Sequence, residues 1–346
     1  MATDTPFRKT VFSIQGLGVL LILVSVNALF WGAYPLTPGE LQDFFAGKLT
    51  GTQAFLLWEI RIPRIVLALS TGAILAVSGA ALQALFRNPL ADPMILGVTF
   101  GAMLFAVGGI VLSYTLFSWL PVLVQQTGIS LMAFLGSLLF TLLVYALSTK
   151  GRHTSVATLL LAGIALGAIA SAITGLFTYF STETQLRDIT FWTMGSLSQA
   201  TWTMLGVFIP VCLLVLGLVF RQAKALNVLA LGEEEAALMG VATQKVKKVI
   251  IIATALGVGA SVAITGVIGF VGLVVPHFLR LVGGSDYRFL LPAAALAGGT
   301  FLVLADTLAR TILAPAELPI GILSSLIGSP FFLWLLLKQR KHHEIF

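Results

Sequence analysis

Long apolar runs, broken by short polar stretches, set the pattern of this chain. A helix needs roughly 20 residues to cross a bilayer. By that measure the runs predict ten spans, at about 11–33, 64–86, 93–115, 129–148, 155–180, 202–220, 247–268, 271–282, 289–309 and 318–338. The eighth is short and starts around Pro276, so a half-length or broken helix is expected there. Residues 189–200 are expected to add a short helix at the membrane interface. The first run follows Arg8 and Lys9 as a secretory leader would. Its apolar stretch is too long for one and no clean small-x-small site follows, so an uncleaved first span is expected.

Composition agrees with lipid as the main solvent. Of 346 residues 58% are hydrophobic and only 10% charged, whereas a soluble domain has about a quarter of its residues charged. Ten spans use about 200 residues, which leaves short loops and one transmembrane domain over 1–346, with no room for a separate soluble catalytic domain. The 34 glycines suit close helix packing in a membrane. A single cysteine, Cys212, excludes an intrachain disulfide. The net charge of +6 is explained by loop asymmetry and not by a nucleic-acid partner. With the N-terminus cytoplasmic, fifteen of the 20 Lys and Arg fall inside, including Arg152 and Lys247, and only Lys48, Arg61, Arg64, Arg187 and Arg310 fall outside. Both termini are therefore expected in the cytoplasm, and five spans per half gives two halves of opposite topology. Arg64–Gly79 and Lys248–Gly266 share a basic start and a Gly/Ser-spaced apolar run, a weak internal similarity.

Candidate chemistry is sparse. Histidines occur only at 153, 277, 342 and 343, and Asp306 is the one acid set within a predicted span. With Thr307 and Arg310 beside it, Asp306 is read as a local hydrogen-bonding or ion-pair residue. No His/Cys/Asp/Glu constellation, HExxH motif or P-loop is present, so neither a catalytic residue, a resident cofactor, a metal site nor a nucleotide site is expected. If such a chain drives transport, a partner supplies the energy.

Two further patterns stand out. The longest inside loop, 221–248, reads as two short helices separated by Gly232, with Glu233, Glu234 and Glu235 at the favourable N-terminal end of the second. Leu238 and Met239 leave apolar surface and Gly240 ends the run, so this is either a capped loop helix or one that docks into a partner. In the fifth span Gly163, Gly167, Ser171 and Gly175 recur every four residues, a small-residue stripe for packing or for the border of a passage. Arg87–Pro93, RNPLADP, has two Asx-Pro turns and is read as a hinge.

Arg61–Val98 (RIPRIVLALSTGAILAVSGAALQALFRNPLADPMILGV), Gly269–Arg310 and Ala316–Leu337 (AELPIGILSSLIGSPFFLWLLL) carry a resemblance over nearly the whole chain. It resembles the permease subunits of type II ABC importers for iron-siderophore complexes, haem and vitamin B12. That resemblance implies a bacterial inner-membrane importer subunit working by alternating access, with no covalent chemistry of its own. It also implies a second permease chain, cytoplasmic ATPase subunits and a periplasmic binding protein, with ferric siderophore as first cargo and haem or vitamin B12 next. Gly232, Glu233, Glu234, Ala237, Leu238 and Gly240 match the family's coupling helix. Arg61, Arg64 and Arg310 match arginines offered to acidic residues of the binding protein, a role for which the forked guanidinium is suited; snorkelling beside the bilayer is the alternative. Thr154, Ser155 and Thr158 lie where family members close the cytoplasmic end of the passage, though helix capping explains them equally. The passage itself is expected along the fifth and tenth spans, with Gly163, Gly167 and Ser171 on its wall. A secondary carrier or channel with no ATPase partner is the rival reading.

Overall fold

A computed structural model describes residues 6–32, 34–115, 121–151 and 153–343. Ala33 at the end of the first expected span, and Arg152 in the basic inside set, lie outside the described residues. The fold is helical. In chain order the helices are α1 (Pro6–Phe30), α2 (Pro38–Phe45), α3 (Gly51–Phe55), α4 (Ile62–Leu85), α5 (Val98–Thr115), α6 (Val122–Leu147), α7 (Val156–Tyr179), α8 (Glu183–Met194), α9 (Trp202–Phe220), α10 (Ala223–Leu229), α11 (Glu233–Leu238), α12 (Thr243–Thr265), α13 (Val271–Gly283), α14 (Tyr287–Ala309) and α15 (Ile320–His343). Among the described residues, six helical runs are long and apolar enough to cross a membrane: Gly51–Leu85, Thr127–Leu147, Val156–Tyr179, Trp202–Phe220, Thr243–Thr265 and Tyr287–Ala309. Ile14–Phe30, Val98–Ser113, Val271–Gly283 and Ile320–Phe331 are shorter apolar helices.

Helix α4 forms the centre. Its most apolar window is 83% buried, against 67% for α12 and α14 and 22% for α7. An apolar helix buried all round is a core helix, and one mostly exposed faces lipid or a partner. Glycine makes the close packing around α4 possible. A Cβ on Gly72 would land on the Gly298 carbonyl of α14, one on Gly79 on the Gly272 carbonyl of α13, and one on Gly101 of α5 on the Gly136 carbonyl of α6. Backbones meet directly at these crossings, as small-residue interfaces allow.

Several boundaries differ from the expected ones. The second span is a single run from Gly51, because α3 continues through a π-helical turn, Leu56–Arg61, into α4. The third starts at Val98: Pro93–Leu96 is a 3-10 turn capped by Asp92, and Gly97 at φ 77° resets the direction before α5. The expected helix at 189–200 is instead α8. Thr182 and Gln185 form a capping box that starts it early, and Gly195 at φ 73° ends it. α13 has only 13 residues and follows a non-helical stretch after Gly266, in line with the expected half-length helix. A short hairpin joins α6 and α7, with β1 (Thr149–Lys150) antiparallel to β2 (His153–Thr154).

Candidate functional site

The long loop 221–248 folds as two short helices, as its sequence predicts. Leu226 and Leu229 of α10 and Ala236 of α11 are buried, while Leu238 is 89% exposed and Met239 65%. Ala237 and Glu234 are exposed beside them. Gly232 sits at the start of α11, where its carbonyl accepts from the Ala236 N–H, and Gly240 at φ 80° ends it. The helix thus presents an apolar tip on a polar loop. Two anchors hold this unit to the body. Asn227 donates from Nδ2 to Asp286 Oδ1 at 2.7 Å and accepts from the Tyr287 N–H at 2.8 Å. On the other side, Glu233 Oε1 lies 2.5 Å from Lys247 Nζ. The Arg288 side chain, hydrogen-bonded to Asp286, holds that carboxyl well below the usual carboxylate range, with help from Asn227.

At the opposite end three arginines turn inward. Arg61, Arg64 and Arg310 are 3%, 5% and 6% exposed. Arg64 Nε donates to both Asp306 oxygens at 2.9 and 3.0 Å, its Nη2 lies 2.8 Å from Asp306 Oδ1, and its Nη1 pairs with Glu317 at 2.9 Å. Arg310 Nε stands 3.8 Å from Asp306 Oδ2 and Nη2 donates to the Ala28 carbonyl. Arg61 donates to the carbonyls of Leu29 and Tyr34. All three residues expected at a docking surface therefore serve partners within their own chain. Asp306 is the ion-pair residue expected, but its main partner is Arg64, 242 positions away, and not its helical neighbour alone.

Around the start of α7, Ser155 accepts from the Thr158 N–H and caps the helix, and Thr154 is buried. Gly163 packs on the Ile95 carbonyl and Gly167 on the Phe100 ring, whereas Ser171 and Gly175 are exposed. The buried line continues through Ala170 and Thr174 instead. A four-residue repeat drifts around a helix of 3.6 residues per turn, so packing follows the steps of three and four. One feature was not read from sequence. A cavity of about 650 Å³ lies among α5, α6, α8 and α12, lined by Asp188, Phe191, Trp192, Gln199 and Glu317 among others. Among the described residues, no three His, Cys, Asp or Glu side chains converge as metal ligands.

A helical body with several membrane-length apolar runs is the fold of a multi-pass membrane protein. The chain belongs to the FecCD transport family, whose pattern matches residues 19–338. It is 44% identical over 331 residues to the hemin transport system permease protein HmuU of Yersinia pestis, covering 94% of this chain and 95% of that one. The vitamin B12 import system permease protein BtuC of Escherichia coli O9:H4 is 42% identical over 338 residues, covering 96% and 97%. A solved metal-chelate type ABC transporter in an inward-facing conformation superposes with a TM-score of 0.82 at 35% identity, covering 94% of this chain and 98% of the other. The protein is thus a permease of the ABC importer type.

Proposed function

We propose that this chain is the transmembrane permease subunit of a bacterial inner-membrane ABC importer that moves a metal chelate from periplasm to cytoplasm by alternating access. The observation that carries the reading is α11, which holds Leu238 and Met239 out of a polar loop where an ATPase subunit would receive them. Gly232, Glu233, Glu234, Ala237, Leu238 and Gly240 form that coupling element, and a second permease chain completes the passage. The ten spans, with both termini cytoplasmic, are part of the same proposal. The gate lies at Thr154, Ser155 and Thr158, and the wall includes Gly163, Gly167 and Ser171. The periplasmic binding protein docks over the end of the chain that Arg61, Arg64 and Arg310 brace from within.

For cargo, haem and vitamin B12, the compounds named for two relatives, are put ahead of ferric siderophore. Chain, ATPase and binding protein reconstituted in liposomes should take up one of the three in an ATP-dependent manner. An assembled, hydrolysing complex that moves none of them would refute the cargo class. Uptake that persists without the ATPase would establish the rival, a carrier or channel.

A further inference from the structure

Beyond its exposed tip, α11 is tied to the start of α7 by a closed ring of polar contacts around a buried lysine. Lys245, Lys247 and Lys248 all open α12, yet Lys247 alone among them is turned inward, and it is 1% exposed. Its Nζ meets Glu233 Oε1 at 2.5 Å and donates to the Thr154 carbonyl at 2.8 Å. Gln244, one turn earlier, donates from Nε2 to the same Glu233 oxygen at 2.8 Å and accepts the Thr154 N–H at Oε1, at 2.9 Å. Its Nε2 also stands 3.1 Å from His153 Nδ1. Both backbone polar groups of Thr154 are thus held by α12 side chains, and both of those side chains are held by the first residue of α11.

Physical reasoning gives this ring a direction. A buried ammonium is costly unless paired and hydrogen-bonded. If α11 moved alone, Lys247 and Gln244 would both lose Glu233. Joint movement keeps every contact, and polar groups in a closed ring reinforce one another. Thr154 immediately precedes Ser155, the residue that caps α7. Displacement of α11 is therefore passed to the first turn of α7 without a slack joint.

We propose that Lys247, with Gln244, is the positioning pair that transmits movement of the coupling helix to the cytoplasmic mouth of the passage. The inference rests on the reading of α11 as the docking helix. The role of the pair is to keep ATP hydrolysis and gate movement in step.

The test is uptake per ATP hydrolysed, measured in liposomes holding the assembled permease, ATPase and binding protein. Lys247→Met retains the apolar stem of the side chain and removes the ammonium. Glu233, whose side chain is 30% exposed, can then be hydrated, so folding should survive. The expected result is continued hydrolysis with at least a tenfold fall in uptake per ATP. A merely structural role would lower hydrolysis and uptake together and leave the ratio within twofold, which would overturn the proposal. Should Lys247→Met fail to assemble, Gln244→Leu at the half-exposed side of the ring replaces it. A threefold or greater fall in the ratio is expected there, and an unchanged ratio overturns the proposal equally. Leu238→Asp separates the underlying reading: it should release the ATPase altogether. If that variant still binds the ATPase and transports, α11 is not the docking helix, whatever the ring does.

Discussion

Asp306 shows how a membrane helix keeps a carboxylate. It is 1% exposed, and Arg64 meets it with two nitrogens while Arg310 stands within 4 Å. Removing one member of such a cluster leaves charge buried without compensation, which costs about 3–5 kcal/mol. Asp306→Ala should therefore lower the unfolding free energy of the detergent-solubilised protein by that amount. Arg64→Met, Asp306→Leu and Arg310→Met combined should recover most of it, since apolar replacement of a whole buried triad is often neutral. A loss below about 1 kcal/mol for Asp306→Ala would contradict the pairing as a structural brace. Asp286, in the loop before α14, behaves differently. Its carboxyl is lowered by the Arg288 hydrogen bond. A group with a depressed folded value contributes stability above its unfolded value, near about 3.9, and loses it as pH falls through the folded one. The penalty of Asp286→Asn should accordingly be equal at pH 7 and pH 5 and shrink only below about pH 4, as read from thermal unfolding across that range.

At the scale of elements, glycine determines which helices touch. Gly298 lies against the Gly72 carbonyl and the Ala76 methyl, while Gly217 of α9 meets open space. Overpacking a tight contact costs about 1–3 kcal/mol. Gly298→Ala should lower the melting temperature, and Gly217→Ala should leave it unchanged or slightly raised, as helix propensity favours alanine; equal effects would show that the crossing is not tight. Hydropathy revealed where helices exist because burial in lipid or protein needs the same apolar runs. Their ends were less legible. Gln53 and Glu59 interrupt the run that begins at Gly51, so the N-terminal extension of α4 is masked in the hydropathy pattern. Pro93 carries a start signal that Gly97 overrides by turning left-handed. The Thr182–Gln185 capping box was present in the sequence and marks the true beginning of α8.

Across the whole molecule, the partnerships least visible from sequence are those that cross it. Arg64 and Asp306 are 242 positions apart, and Lys247 is indistinguishable in sequence from Lys245 and Lys248. The loop that carries α10 and α11 was legible because its polar, apolar and Gly punctuation is local. The own-chain partners of the arginines were not legible, because the buried acids and helix-end carbonyls that receive them lie far along the chain. Orientation remains open to direct test. With Cys212 replaced by Ala, Gln42→Cys should react with a membrane-impermeant maleimide in intact spheroplasts, and Met239→Cys only after permeabilisation. Both native side chains are exposed. The opposite pattern would invert the proposed topology.

The short α13 has a consequence for how the protein is made. Thirteen residues rise about 20 Å, well short of the roughly 30 Å hydrocarbon core. Gly266 and Ile268, in the non-helical stretch before it, are buried against the rest of the chain, as backbone without helical bonds must be at membrane depth. An insertion machinery that selects segments by apolar length has little with which to recognise α13 alone. The helix has to be accepted together with α12 before it and α14 after it, as one hairpin-like unit. Polar substitution of Ile268 in this stretch should then reduce the amount of protein recovered in the membrane fraction.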